Sequence, residues 1–281
     1  MEGTATSRKP AGRNRKDHYI PRSFLRGFID PGRWSLQQPL WHLDVPNNVW
    51  SERSPGEVGY RFGFYDYATT EMGLQSADSA FAELEGRYPR IRRSLIEKNF
   101  ENWKDELDFL LRYAQMMRAR SLLFFEHKQA EWKKAKAWIV DEVLPDGKSV
   151  KVKSMTPESL PEAFIRNRTI VEMRDEIKKG AAWLNDFNWC LRYCDAPSAP
   201  FVISEIPFVC LGRTSELTEA LIKDPETLLF FPLCWQACLI GSRQFFDKET
   251  DRFGNEDMRR VQKMYRESAS LFVLSPTKLD S

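Results

Sequence analysis

The run Leu107-Asp108-Phe109-Leu110-Leu111-Arg112-Tyr113-Ala114-Gln115-Met116-Met117-Arg118 decides the fold class. Leu107, Leu110, Leu111, Ala114 and Met117 recur at spacings of three and four. Ser121 and Phe125 continue the stripe toward Trp132. That period places one apolar face on a helix. Asn102 is expected to cap it, with Asp105 three residues further on. A second stripe comes before it. Leu74, Ala77, Phe81, Leu84, Tyr88, Ile91 and Leu95 predict one amphipathic helix, bent at Pro89. The two faces are expected to bury themselves against each other.

Away from this helical centre the period changes. Upstream, Phe24, Leu25 and Phe28 predict a short helix, ended by Gly27 and Asp30-Pro31-Gly32. Residues 40–45 read as a strand closed by Pro46-Asn47-Asn48, and residues 49–67 as a loop with short strands. Downstream, Pro145-Asp146-Gly147 turns a small hairpin. Thr156-Pro157-Glu158 starts a helix that runs through Ile177, with an interruption at Gly180. Phe187, Trp189, Leu191 and Tyr193 then alternate with Asn188, Cys190, Arg192 and Cys194, the period of a strand. Asp195-Ala196-Pro197-Ser198 is turn chemistry, so residues 201–204 are expected to return as the second arm of a hairpin. Strands over 228–231 and 235–241, a helix over 256–267 and a strand over 271–274 complete the chain. The order predicts an α+β fold. A central helical segment is flanked by N-terminal and C-terminal strand-rich parts, which are expected to form one mixed or antiparallel sheet.

Composition narrows the function classes. Of 281 residues, 42% are hydrophobic, enough to offset the entropy of ordering, which excludes a natively disordered chain. Lys and Arg number 42 against 40 Asp and Glu, so a net charge of +2 draws the chain globally to neither nucleic acid nor membrane. The charge is uneven. Residues 1–16 carry Arg8, Lys9, Arg13, Arg15 and Lys16 against Glu2 alone. They read as a disordered basic tail, with nucleic-acid phosphates as its expected partner, ahead of a single domain over 17–281. The first 20 residues lack the apolar core of a signal peptide. No run approaches the ~18 apolar residues of a membrane span. A cytoplasmic protein with no membrane partner is expected, its five Cys reduced. Cys190 and Cys194, like Cys234 and Cys238, are four apart, which on a strand means ~13 Å, too far for two ligands of one zinc. The chain's 9 Trp and 19 Phe raise the idea of base stacking, but their spacing follows the core faces. The dinucleotide-binding, P-loop, nucleophile-elbow and zincin patterns are absent from the sequence.

The opening His18-Tyr19-Ile20-Pro21-Arg22-Ser23-Phe24-Leu25-Arg26-Gly27-Phe28 resembles the N-terminal signature of the DUF4238 family, whose members open on His-aromatic-aliphatic-Pro followed by Leu and Phe. Further pieces fit the same pattern over residues 17–275. They are Tyr65-Asp66, Glu85 on the first long helix, Gln115 with Arg118, Ser204-Glu205-Ile206-Pro207 and Phe231-Pro232-Leu233. At position 205 the family usually has Asp, and the extra methylene of Glu moves the carboxylate by roughly 1.5 Å. The resemblance implies an architecture and no reaction.

Three residues are candidates for chemistry. His18 could serve as a base, a metal ligand or a phosphate contact, or as a structural imidazole. Glu205 follows a strand and could be a base or metal ligand, or cap the next turn. Arg118 sits on the apolar flank of its helix and needs a phosphate or an acidic partner such as Glu205, Glu85 or Asp66. Arg22, Gln115 and Tyr65 are the expected substrate contacts around them. Two readings follow. In one, the chain is a hydrolase acting on a phosphate-containing substrate, a nuclease dependent on a divalent metal such as Mg²⁺ or Mn²⁺. His18 and Glu205 then act as base and ligand while Arg118 stabilises developing charge. In the other, it is a non-catalytic module binding nucleic acid or protein, and the same groups form an internal network.

Overall fold

The computed structural model describes residues 15–29, 32, 40–69, 73–77, 81–97, 100–134, 138–143, 149–155, 162–179, 182–194, 199–210, 223–246 and 250–279. The tail over 1–14, the turns at Asp30-Pro31, Pro145-Asp146-Gly147 and Asp195-Ala196-Pro197-Ser198, the helix start at Thr156-Pro157-Glu158 and the interruption at Gly180 lie outside these residues.

In chain order the elements are β1 (Lys16–His18), α1 (Arg22–Leu25), β2 (Leu40–Asp44), β3 (Val49–Arg53), β4 (Tyr60–Phe62), β5 (Asp66–Thr69), β6 (Gly73–Ser76), α2 (Ala82–Ile96), α3 (Leu107–Ala119) and α4 (Leu122–Lys134). They continue as β7 (Trp138–Val143), β8 (Ser149–Met155), α5 (Glu162–Lys179), β9 (Asn188–Cys194), β10 (Ile203–Ser204), β11 (Val209–Cys210), β12 (Leu228–Cys234), β13 (Ala237–Ser242), β14 (Thr250–Phe253), α6 (Asn255–Ser268) and β15 (Phe272–Ser275). Helices cluster in the middle and strands flank them, so the chain is α+β. The two flanks meet in a four-stranded sheet of order β10-β15-β2-β3. The remaining strands do not join it. β11-β12-β13-β9-β14 forms a second sheet, and β1-β4, β5-β6 and β7-β8 are separate ribbons.

The second sheet is the floor of the core. β12 and β13 are buried along nearly their whole length, so both faces read apolar instead of alternating. Phe24 of α1 lies flat on Phe231 of β12, with centroids 5.8 Å apart and planes within 9°. It also meets Phe28, Tyr88 and Tyr113. Tyr88 of α2 stacks on Tyr113 of α3 at 4.4 Å, and its hydroxyl donates to the Leu233 carbonyl. The two predicted stripes therefore cover each other and the sheet. Leu84, Tyr88, Ile91, Leu95, Leu110, Ala114 and Met117 are all buried. Each large side chain fully removed from water contributes about 1.5–3 kcal/mol.

Several expectations change. Leu74 lies in β6 and Ala77 in the bend after it, because α2 starts only at Ala82. Asn102 makes no side-chain cap; a 3₁₀ turn over Trp103–Glu106 leads into α3. The long stripe is two helices, broken at Arg120-Ser121. There the Ser121 hydroxyl accepts the Phe124 amide and donates to the Arg118 carbonyl, capping α4. β9 pairs with β13 and, in parallel, with β14, whereas β10 pairs with β15, so the expected hairpin of 187–204 does not form. Gly27 does not end a helix in the left-handed region. Its carbonyl accepts the Trp235 amide, and a Cβ on it would lie 3.2 Å from the Cys234 Cβ, so glycine here permits close approach of the 3₁₀ turn after α1 (Arg26–Phe28) to the sheet.

Candidate functional site

The site grows from the first residues of the fold. β1 pairs antiparallel with β4 in the register Lys16 opposite Phe62, Asp17 opposite Arg61 and His18 opposite Tyr60. Alternation puts Lys16, His18, Tyr60 and Phe62 on one face of the ribbon and Asp17 and Arg61 on the other. Arg15 and Lys16, counted with the tail in the sequence, are part of this structure. Arg15 supplies the carbonyl that accepts the Gly63 amide. Gly59 and Gly63 bracket β4 at φ +64° and +57°, the left-handed backbone that glycine adopts without strain. A Cβ on Gly59 would sit 3.0 Å from the Ile20 Cβ, and one on Gly63 would sit 3.0 Å from an Asp66 carboxylate oxygen.

On the inner face, the buried Asp17 accepts the Tyr65 amide at 3.0 Å and the Arg15 Nε at 2.7 Å. Behind it lies Arg120, 1% exposed. Its Nε donates to the Tyr65 hydroxyl at 2.8 Å, and its two terminal nitrogens donate to Glu85 and to the His18 carbonyl. The guanidinium plane also lies 4.4 Å from the Phe81 ring centroid. Burial opposes its charge, but Tyr65 and Glu85 outweigh that and hold its pKa above the usual value. A planar five-donor fork satisfies this divergent acceptor set and an ammonium does not.

Pro21 then stops the strand, α1 begins, and Arg22 projects into solvent. The result is an open cleft of about 480 Å³, lined by Arg15, Lys16, His18, Arg22, Glu85 and Arg120 among others. Arg15 pairs with Asp17 and Arg120 with Glu85. Among the described residues neither Lys16 nor Arg22 has an ion-pair partner. The half-buried His18 ring is held neutral. Burial first, then the charges of Arg22, Arg120 and Lys16, push its pKa from 6.5 to about 4, against a hydrogen bond with the Pro55 backbone. Its Nε2 is buried with no partner.

The other sequence candidates lie elsewhere. Tyr65 is fully buried and is not among the cleft-lining residues, so it supports His18 and Arg120 from behind. Gln115 is also buried: its carbonyl accepts the Trp183 indole N–H at 3.2 Å and its amide donates to Glu176. Arg118 lies over the rings of Trp183 and Phe124, both at 5.6 Å. Burial pushes its pKa down, and the charge of Glu176 partly offsets this. These two residues tie α3 to α5. Glu205 has a third set of partners. One carboxylate oxygen accepts the amides of Ser270 and Leu271 and the Ser270 hydroxyl; the other accepts the Phe272 amide at 3.1 Å. It caps the distant turn from α6 into β15, not the turn that follows it in sequence. The expected convergence of His18, Arg118 and Glu205 is therefore not visible in their bonding; each is engaged in its own cluster. Arg120, the cation that does meet His18, is not among the sequence candidates. The available signal is its place within the apolar stripe, three residues beyond Met117, where a guanidinium demands partners.

Among the described residues no group of three or more His, Cys, Asp or Glu side chains is arranged to hold a metal ion. All five cysteines are buried thiols outside any disulfide, and burial raises the thiols of Cys190 and Cys234 to about 11 and about 12. No helix among the described residues is long and apolar enough to cross a membrane. The model of the family described as "Protein of unknown function (DUF4238)" matches residues 16–275, nearly the whole chain, and the chain belongs to that family. No curated protein and no solved structure matches it.

Proposed function

We propose that this DUF4238 chain is a non-catalytic binding module whose N-terminal cleft takes a phosphate-bearing ligand, with nucleic acid as the macromolecule that supplies it. The observation that carries the reading is the charge arrangement of the cleft. Its carboxylates are already paired by Arg15 and Arg120, which leaves Lys16 and Arg22 for an anion. The buried Arg120 fixes the His18 backbone from behind, so the cleft is held in shape before any ligand arrives. The hydrolase reading draws less support. Glu205 spends its carboxylate on the 270–272 turn. An imidazole with a pKa of about 4 is a weak base at neutral pH.

The test is binding of labelled nucleic acid and of inorganic polyphosphate to the full chain across a salt series. Lys16→Ala and Arg22→Ala should each weaken both ligands and each flatten the log–log salt slope by about 1. Unchanged affinity and slope in both variants would remove the cleft from consideration. Strand cleavage with Mg²⁺ or Mn²⁺ that is lost in His18→Ala would return the hydrolase reading.

A further inference from the structure

We propose that the nucleic acid taken by this cleft is single-stranded and that Tyr60 and Phe62 are the platform on which its bases stack. The inference rests on the phosphate reading of the cleft and adds to it the kind of strand bound.

Among the described residues most aromatic side chains follow core faces; Phe62 departs from that rule, as does Phe245, and Phe62 does so on the ribbon that carries Lys16 and His18. Its side chain is 57% exposed on a three-residue strand. By register it shares the outer face of the ribbon with Lys16, His18 and Tyr60. The rings form a row: His18 to Tyr60 at 5.6 Å, Tyr60 to Phe62 at 5.5 Å and nearly perpendicular. The Lys16 ammonium sits 4.2 Å from the Tyr60 centroid, so the row carries its own cation. On the other face Asp17 is held by the Tyr65 amide, and Arg61 reaches Glu126 on α4. Lys16 and His18 belong both to this row and to the lining of the cleft, so apolar rings and phosphate-directed cations are continuous.

That combination discriminates between ligands. A duplex hides the faces of its bases in its own stack and offers exposed rings nothing; it would use the cations alone. A single strand presents free π-faces, which stack on aromatic side chains whatever the base, while its phosphates follow the adjacent cations. The Tyr60 and Phe62 ring centroids lie 5.5 Å apart, so neighbouring bases of an extended strand can each meet one ring.

The experiment measures anisotropy of the full chain with a short labelled single strand, the same strand made abasic, the matched duplex, and inorganic polyphosphate as competitor. Wild type should prefer the intact single strand over the abasic strand and the duplex. Phe62→Ala, at an exposed position, should keep the wild-type melting temperature and lose roughly tenfold in affinity for the intact strand. Its affinity for the abasic strand and polyphosphate should be unchanged, and Phe62→Trp should restore the preference. Equal binding of intact and abasic strands, or a Phe62→Ala effect that is nil or equal for all ligands, would overturn the stacking inference. If polyphosphate still binds and depends on Arg22, the phosphate reading survives that failure. If no polyanion binds, both fall. Self-association of the wild-type chain that Phe62→Ala abolishes would make this face a contact between two copies and would likewise overturn the inference.

Discussion

Replacing Arg120 by Met removes a cation but keeps an unbranched side chain of similar length against the Phe81 and Tyr65 rings. What disappears is a set of three hydrogen bonds from one buried guanidinium, to the Tyr65 hydroxyl, to Glu85 and to the His18 carbonyl. Hydrogen bonds to a charged group are worth about 1.5–3 kcal/mol each, and breaking a buried pair on one side costs about 3–5 kcal/mol in all. Two features lower the figure here. Glu85 is 30% exposed, so water reaches the carboxylate that loses its partner. The Tyr65 hydroxyl also keeps its bond to the His18 carbonyl at 3.2 Å. The expected loss for Arg120→Met is therefore about 3 kcal/mol. Arg120→Lys retains charge without the fork and should lose about 2 kcal/mol. Glu85→Gln should lose about 1 kcal/mol, and the double variant Arg120→Met, Glu85→Gln should show a coupling of about 1 kcal/mol. Urea unfolding followed by tryptophan fluorescence reads all four. An Arg120→Met variant within about 0.5 kcal/mol of wild type would refute the idea that this residue holds the N-terminal segment in place.

Leu110→Ala empties a fully buried position on α3 and should cost about 2–5 kcal/mol in the same assay; a loss below about 1 kcal/mol would contradict its packing in the core. Glu205→Gln presents an amide N–H to a turn made of donors and should destabilise by about 1–3 kcal/mol while leaving polyphosphate affinity intact; a loss of binding at unchanged stability would place Glu205 in the ligand site after all. His18 and His42 both titrate below the free imidazole value, because burial and neighbouring arginines disfavour their charged forms. The unfolded chain then takes up protons first. Their contribution to stability is complete above pH 6.5 and falls as pH drops below it, for His18 down to about 4. For His18 the ceiling is about 3 kcal/mol, and about 1 after solvent screening of a half-exposed ring. His18→Asn should flatten the stability curve between pH 6.5 and 5; an unchanged slope there would show that the ring titrates normally.

Elements carrying a local signal were legible in the residues themselves. The spacings of Tyr88, Ile91, Leu95, Leu110, Ala114 and Met117 specify helix faces because side-chain direction repeats every 3.6 residues whatever lies nearby. Phe24, Leu25 and Phe28 carry the spacing of one helix face, and all three are buried. Pairing was not legible. Residues 187–194 carry strand alternation, yet nothing in that period says that β13 and β14 will be their neighbours instead of residues 201–204. Register and partner are set by which surfaces remain to be covered once the chain collapses. The same limit applies to the site. Arg118 and Arg120 are two residues apart in one helical run, and composition treats them alike. Only tertiary packing decides between them. It turns Arg118 toward Trp183 and Glu176, and seals Arg120 against Tyr65, Glu85 and the His18 backbone, where removing its partners would strand a charge out of reach of water.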